Sequence, residues 1–240
     1  MARRDNSWLV GRLQRAIANG FSKAYVRVRV DPNAYLNHVR RAYRLPIQSF
    51  DDMFSLPQET VDNLADQTIS GAMKFAALEG TGFGLGGLLT VIPDMGILAA
   101  IAVRMLQKLS LLYGFTYATE EEEAMLWIAA ATAAGVDFGR ELIEKEAVER
   151  FVPRVVERIA VKLGAEVAEK WSARIVPVVS GALGGTLNYY FIRSWGQRAK
   201  EHFRERHLEE RLRMGLPVDF GRQGAGRSRT PRLEPGPIQS

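Results

Sequence analysis

The stretch from Gly80 to Asp94, Gly-Thr-Gly-Phe-Gly-Leu-Gly-Gly-Leu-Leu-Thr-Val-Ile-Pro-Asp, and the apolar run behind it constrain this chain most. From Gly80 to Val103 the only charge is Asp94. Such a segment is too apolar for a surface loop and too broken by Gly and Pro for a plain core helix. A spanning helix needs about 20 apolar residues. Phe83–Val103 has the length, but Pro93 and Asp94 divide it into halves of about ten residues, each too short to cross alone. The pattern predicts two apolar helical arms meeting at Pro93–Asp94, as a buried or re-entrant hairpin. Asp94 then caps a helix that runs to Tyr113, and Gly114 stops it.

The glycines carry a second expectation. Gly80, Gly84 and Gly87 leave a small face at helical spacing, and Gly181, Gly184 and Gly185 repeat the theme in the apolar stretch Ile175–Ile192. Small faces let another helix approach closely. The succession Gly82–x–Gly84–x–x–Gly87 also matches a dinucleotide-binding pattern. That motif needs a strand before it and an acidic residue about 20 positions on. Ala72–Glu79 has helical spacing, and the residues near position 104 are Val103, Arg104 and Met105. Helix packing is the better reading.

Charge is distributed unevenly. Residues 1–50 hold ten Arg/Lys against two Asp, residues 51–192 eleven against nineteen acids, and residues 193–240 eleven against six. Basic ends around an acidic middle favour an anionic partner, with the membrane surface ahead of nucleic acid. No helix-turn-helix, RNA-recognition or zinc-finger pattern supports nucleic acid. There is no Cys, which removes disulfides, thiol nucleophiles and Cys–zinc sites. No secretory signal follows the basic start.

The rest of the chain predicts helices. Ser7 to Phe21 has amphipathic spacing, with Trp8, Leu13, Ile17 and Phe21 along one face and Arg12 and Arg15 elsewhere. These are the candidate membrane contacts, apolar residues in the headgroup boundary and arginines at lipid phosphates. Tyr25–Val30 alternates apolar and basic residues, the only good strand signal, and without a partner strand it reads as an extended arm. Pro32 opens a helix to about Tyr43. Leu45–Phe54 is a linker, and Ser55 caps the next helix, with Pro57 in its first turn. Thr119 followed by Glu120–Glu122 starts another helix, which continues to Gly135. Glu141–Trp171 is helical with Pro153 as its break. A last helix reaches about Met214. The fold class is all-α, a single helical bundle-like domain. It has a Gly-rich apolar hairpin and a basic N-terminal arm (1–54). The main helical body is 55–214, followed by a disordered tail (215–240).

Catalytic signatures are missing. No His-Glu-x-x-His, Gly-x-Ser-x-Gly or phosphate-loop sequence occurs, and neither a cofactor nor a metal is implied. The isolated polar residues Glu79, Asp94, Arg104, Gln107 and Asn188 are the candidates for a ligand site or buried polar cluster. A buried charge needs a partner, and Glu79 is the first choice for Arg104.

Several segments together resemble one family. They are Ala76–Gly80, Gly86–Leu89, Ile92–Asp94, Ala102–x–Arg104–x3–Lys108 and Leu112–Gly114, with Gly181–Tyr189 near the end. From Val61 to Phe203 the chain resembles the EcsC protein family. The basic start and the Pro-rich tail look peculiar to this chain. The resemblance implies a non-enzymatic accessory protein, since the family's namesake is encoded beside an ABC transporter and no catalytic residues define the family. The expected function is therefore that of a membrane-associated or lipid-interacting protein, cytoplasmic and peripheral to the inner membrane, with an anionic lipid surface and a transporter as partners. The alternatives are a soluble helical adaptor, or a hydrolase with a polar pocket around Glu79, Arg104 and Asn188. The oligomeric state is left open.

Overall fold

The computed structural model describes residues 7–83, 88–136, 148–172 and 181–218, with side chains over 10–79, 96–136, 150–165 and 188–218. Seven α-helices make up this part: α1 (Ser7–Arg27), α2 (Pro32–Tyr43), α3 (Gln58–Phe83), α4 (Leu88–Leu112), α5 (Glu120–Ala133), α6 (Val148–Ser172) and α7 (Gly181–Arg213). A 3-10 turn, Asp51–Ser55, lies between α2 and α3. Among the described residues there is no strand, as the all-α expectation has it.

Helix α4 is the hub. It packs against α1, α3, α5 and α7, while α3 and α7 share the most extensive contact in the molecule. From Leu98 to Leu112 only Ala100, Arg104 and Lys108 escape full burial. A helix that is apolar nearly all round belongs inside a core, which is why this run has so few charges. Among the described residues no helix is long and apolar enough to cross a membrane. Helix α5 is similar on a smaller scale. Its Ala129, Ala130, Ala131 and Ala133 are all buried, beside Leu126 and Trp127.

Several local expectations need correction. Helix α4 begins at Leu88 and continues through Pro93, so Asp94 does not start it. Proline removes one backbone bond and costs about 3 kcal/mol in a helix interior, and the apolar burial further along outweighs that. Pro153 likewise lies inside α6 and does not break it. Helix α1 absorbs Tyr25–Arg27, leaving residues 28–31 as the connection to α2. The supposed linker before α3 supplies core residues, because Ile47, Phe50, Met53 and Phe54 are buried. Ser55 closes the 3-10 turn, and the Pro57 carbonyl accepts the first bonds of α3.

Helix ends follow the sequence more closely. Thr119 accepts the Glu122 N–H, and Glu122 reaches back to the Thr119 N–H, a reciprocal capping box. Gly114 has φ of +85°. The Phe115 N–H bonds the Ser110 carbonyl and the Gly114 N–H the Leu111 carbonyl, at 2.9 and 3.0 Å. That is a Schellman ending, which needs a left-handed residue at this point.

Gly84, Gly87 and the tail beyond Val218 lie outside the described residues, as do the surroundings of Gly80, Gly181, Gly184 and Gly185. Close helix approach does occur elsewhere. A Cβ added at Gly164 of α6 would come within 2.6 Å of the Gln14 side chain and 3.2 Å of the Gln14 backbone nitrogen. This glycine brings α1 and α6 together.

The candidate groove and the buried polar junction

The N-terminal helix is a core element. Leu13, Ile17 and Phe21 are 2–3% exposed, on a helix that packs mainly against α4 and α6. The ring of Phe21 meets the edge of Trp195 at 5.4 Å. These three residues are therefore not membrane contacts, because their apolar face is already covered by protein. Arg12 and Arg15 do lie on the exposed side of the helix, and the Trp8 side chain is outside the described residues.

Gln107 is buried, but its role is structural. It donates to the Val28 carbonyl and accepts from the Val30 N–H, both at 2.9 Å. One amide thus serves the backbone of the short connection between α1 and α2. Tyr117 donates to the Val30 carbonyl at 2.6 Å, and burial pushes its phenol up to about 12. Tyr25–Arg27 is helical, and the two side chains take up the Val28 carbonyl and both backbone groups of Val30, so no second strand is needed there.

A groove of about 500 Å³ opens between α2, α3 and α4. Each helix contributes one stripe. Tyr35, His38, Val39 and Tyr43 come from α2, and Leu64, Gln67, Thr68, Gly71, Ala72 and Phe75 from α3. Helix α4 supplies Ile97, Ala100, Ile101, Arg104, Met105, Lys108 and Leu112. Steps of three and four residues keep each set on one helix face. The Tyr43 hydroxyl donates to Gln67 Oε1 at 3.1 Å, and the Tyr35 and Thr68 hydroxyls lie 3.5 Å apart. Burial raises both tyrosines above the ordinary phenol range, so they remain neutral.

The groove has two cations and no acid among its lining residues. Arg104 is exposed, and Lys108 is partly buried with its Nζ 5.4 Å from the centre of the Tyr35 ring. That is within the reach of a cation–π contact. Burial, and then the neighbouring Arg104 charge, hold the Lys108 ammonium below its ordinary range. No ion pair among the described residues joins Arg104 to Glu79. Neither Glu79 nor Asn188 lines the groove. The structure thus does not gather Glu79, Arg104, Gln107 and Asn188 into one cluster, although Gln107 and Asn188 are each buried. Arg104 avoids the cost of burial by reaching solvent at the groove instead of pairing.

A second polar assembly was not foreseen. Asp62 accepts from Gln58 Nε2 at 2.9 Å, from the Tyr113 hydroxyl at 2.8 Å and from Arg204 Nε at 3.0 Å. Above it His207 is fully buried and its Nδ1–H donates to the Tyr113 carbonyl at 2.9 Å. The imidazole stacks on Phe54 with ring centres 4.7 Å apart. Arg211 donates to the Leu56 and Pro217 carbonyls at 2.9 and 2.7 Å. Desolvation is the main cause that lowers His207, with Arg211 adding to it and the Tyr113 bond opposing it. The junction ties α3, α7 and the end of α4 together. It has titratable groups, but the imidazole is fully buried. No spacing in the sequence could join Asp62, Tyr113 and His207, which come from elements far apart along the chain.

Among the described residues no group of acids and histidines could hold a metal ion. The family model described as EcsC protein family matches residues 6–208. This match includes the basic start, which is therefore not peculiar to this chain. Protein EcsC of Bacillus subtilis (strain 168) is 29% identical over 168 residues, covering 66% of this chain and 69% of that protein. No solved structure matches. With the family match running from α1 to within α7, the chain belongs to the EcsC protein family.

Proposed function

We propose that this chain is a non-enzymatic, membrane-associated accessory protein that engages anionic lipid and works beside a transporter, at the cytoplasmic side of the inner membrane. The observation that carries the reading is the groove between α2, α3 and α4, with an apolar stretch at Ala72, Phe75, Ile97 and Ile101 and, on one face, the cations Arg104 and Lys108, which make no ion pair among the described residues. An apolar pocket with a few placed polar groups is the usual form of a small-molecule site. Apolar walls with cations at one side fit an amphipathic anion. Phe75 lines the groove at 53% exposure, and Leu78, one turn on, is 71% exposed. Two large apolar side chains on one outer helix face suit contact with a lipid surface. The membrane contact accordingly moves from α1 to the groove and the end of α3. The hydrolase alternative loses its support, because its three polar residues do not share a pocket.

The test is vesicle flotation with the full chain. Binding to vesicles containing anionic lipid at low salt, weakening as salt screens the surface charge, is the expected result. No flotation on anionic vesicles, or equal flotation on neutral ones, would contradict the reading and favour a soluble adaptor.

A further inference from the structure

We propose that the groove holds a single-chain lipid with a phosphomonoester head, the phosphate between Arg104 and Lys108 and the chain along the apolar floor between α3 and α4. This rests on the lipid reading above and narrows it to one occupant.

The charge pattern decides the head. Arg104 and Lys108 are four residues apart and line the same groove, which places them one helical turn apart on one face. Two like charges so placed repel each other, and the lowered ammonium of Lys108 reflects that neighbour as well as burial. Among the described residues no acid lines the groove, and none of the ion pairs includes either cation. A carboxylate would neutralise one of the two. A phosphomonoester has a charge of about −1.5 to −2 at neutral pH and three strong acceptor oxygens, and neutralises both. The Arg104 fork matches two of those oxygens, while the Lys108 ammonium acts as a point charge. A zwitterionic head would bring its own cation into a groove that already has two.

The walls decide the tail. Ile97, Ile101, Ala72 and Phe75 give an aliphatic and aromatic channel. At about 500 Å³ the groove stands in the lower half of the range for ligand pockets, about 300–1,000 Å³. That room suits one acyl chain better than two. Gly71 and Ala72 keep the α3 wall low, since a Cβ added at Gly71 would meet nothing within 4 Å.

The experiment is calorimetric titration of the full chain with a twelve-carbon 1-acyl lysophosphatidic acid, below its micelle concentration. The matching lysophosphatidylcholine and inorganic phosphate serve as the other two arms. One site is expected, with the phosphomonoester lipid at least about tenfold tighter than either comparison. The double variant R104Q/K108Q should lose that advantage, its affinity for the phosphomonoester lipid falling to that for lysophosphatidylcholine. An Ala72→Trp variant, which fills the floor, should lose both lipids. Circular dichroism of both variants checks the fold, and if Ala72→Trp does not fold, Gly71→Leu replaces it. Equal affinity for the two lipids, or an undiminished phosphomonoester preference in R104Q/K108Q, would overturn the proposal. Inorganic phosphate binding as tightly as the lipid would overturn it too, in favour of a free-phosphate site. Flotation on anionic vesicles without this titration signal would sink only the narrower claim. The titration signal without flotation would sink only the membrane reading.

Discussion

The groove and the Asp62–His207 junction both combine aromatic rings with charged side chains, yet they treat charge in opposite ways. At the junction each charge has a protein partner: Asp62 has three donors, and Arg211 has two carbonyl acceptors. In the groove Arg104 and Lys108 have no acid beside them among the described residues. A cation left without a partner costs little when water reaches it and a great deal when it does not. Charges paired within the protein hold helices together. Accessible, unsatisfied ones beside an apolar channel are free to hold something else. That contrast, more than any sequence motif, separates the structural polar cluster from the candidate site.

The comparison can be broken most sharply at Asp62. Replacing it by alanine strands the Arg204 guanidinium, the Tyr113 hydroxyl and the Gln58 amide, and should cost about 3 kcal/mol of stability. Urea denaturation measures it, and a loss below about 1 kcal/mol would mean that the junction is ornamental. Gly114→Ala comes next. The added Cβ would sit 2.5 Å from the Phe54 ring, the same ring that stacks on His207. With the left-handed strain the expected cost is about 2 kcal/mol. Wild-type stability in this variant would contradict the Schellman ending.

The pH response sharpens the contrast further. His207 is lowered in the folded chain, so the unfolded chain takes up a proton first, near its ordinary value of about 6.5. The His207 contribution is therefore complete above that pH and is lost as pH falls through the lower folded value. Unfolding midpoints at pH 7.5 and 5.0 should differ less in His207→Gln than in the wild type. Equal differences would remove His207 as a cause. The smallest effect belongs to the groove. R104Q/K108Q breaks no ion pair among the described residues and should change stability by no more than about 0.5 kcal/mol.

Much of the fold was legible because it rests on local chemistry. The capping box at Thr119, the stop at Gly114 and the helix opened by Pro32 each depend on neighbours within a few residues. The apolar helix ending at Leu112 was legible as buried, but whether protein or lipid covered it was not, since periodicity reports apolar surroundings without naming them. Proline was over-read at Pro93 and Pro153, where tertiary burial outweighs a local penalty. The site was less legible. Arg104 stood out as a charge in an apolar run, yet pairing and solvent are equally good answers to that problem, and only the arrangement of α2, α3 and α4 chooses between them. Lys108 and Tyr35 come from helices far apart in sequence, so no spacing could join them. Leu13, Ile17 and Phe21 showed an apolar face whose cover by other helices was likewise invisible.

The central claim is that the groove cations serve a lipid ligand and not the fold. Flotation of R104Q/K108Q beside the wild type, on anionic vesicles at low salt, tests it most directly. Each basic residue near such a surface contributes about 1 kcal/mol, so losing both should reduce the apparent affinity about 30-fold, while the urea midpoint stays that of the wild type. A double variant that floats as well as the wild type would contradict the account.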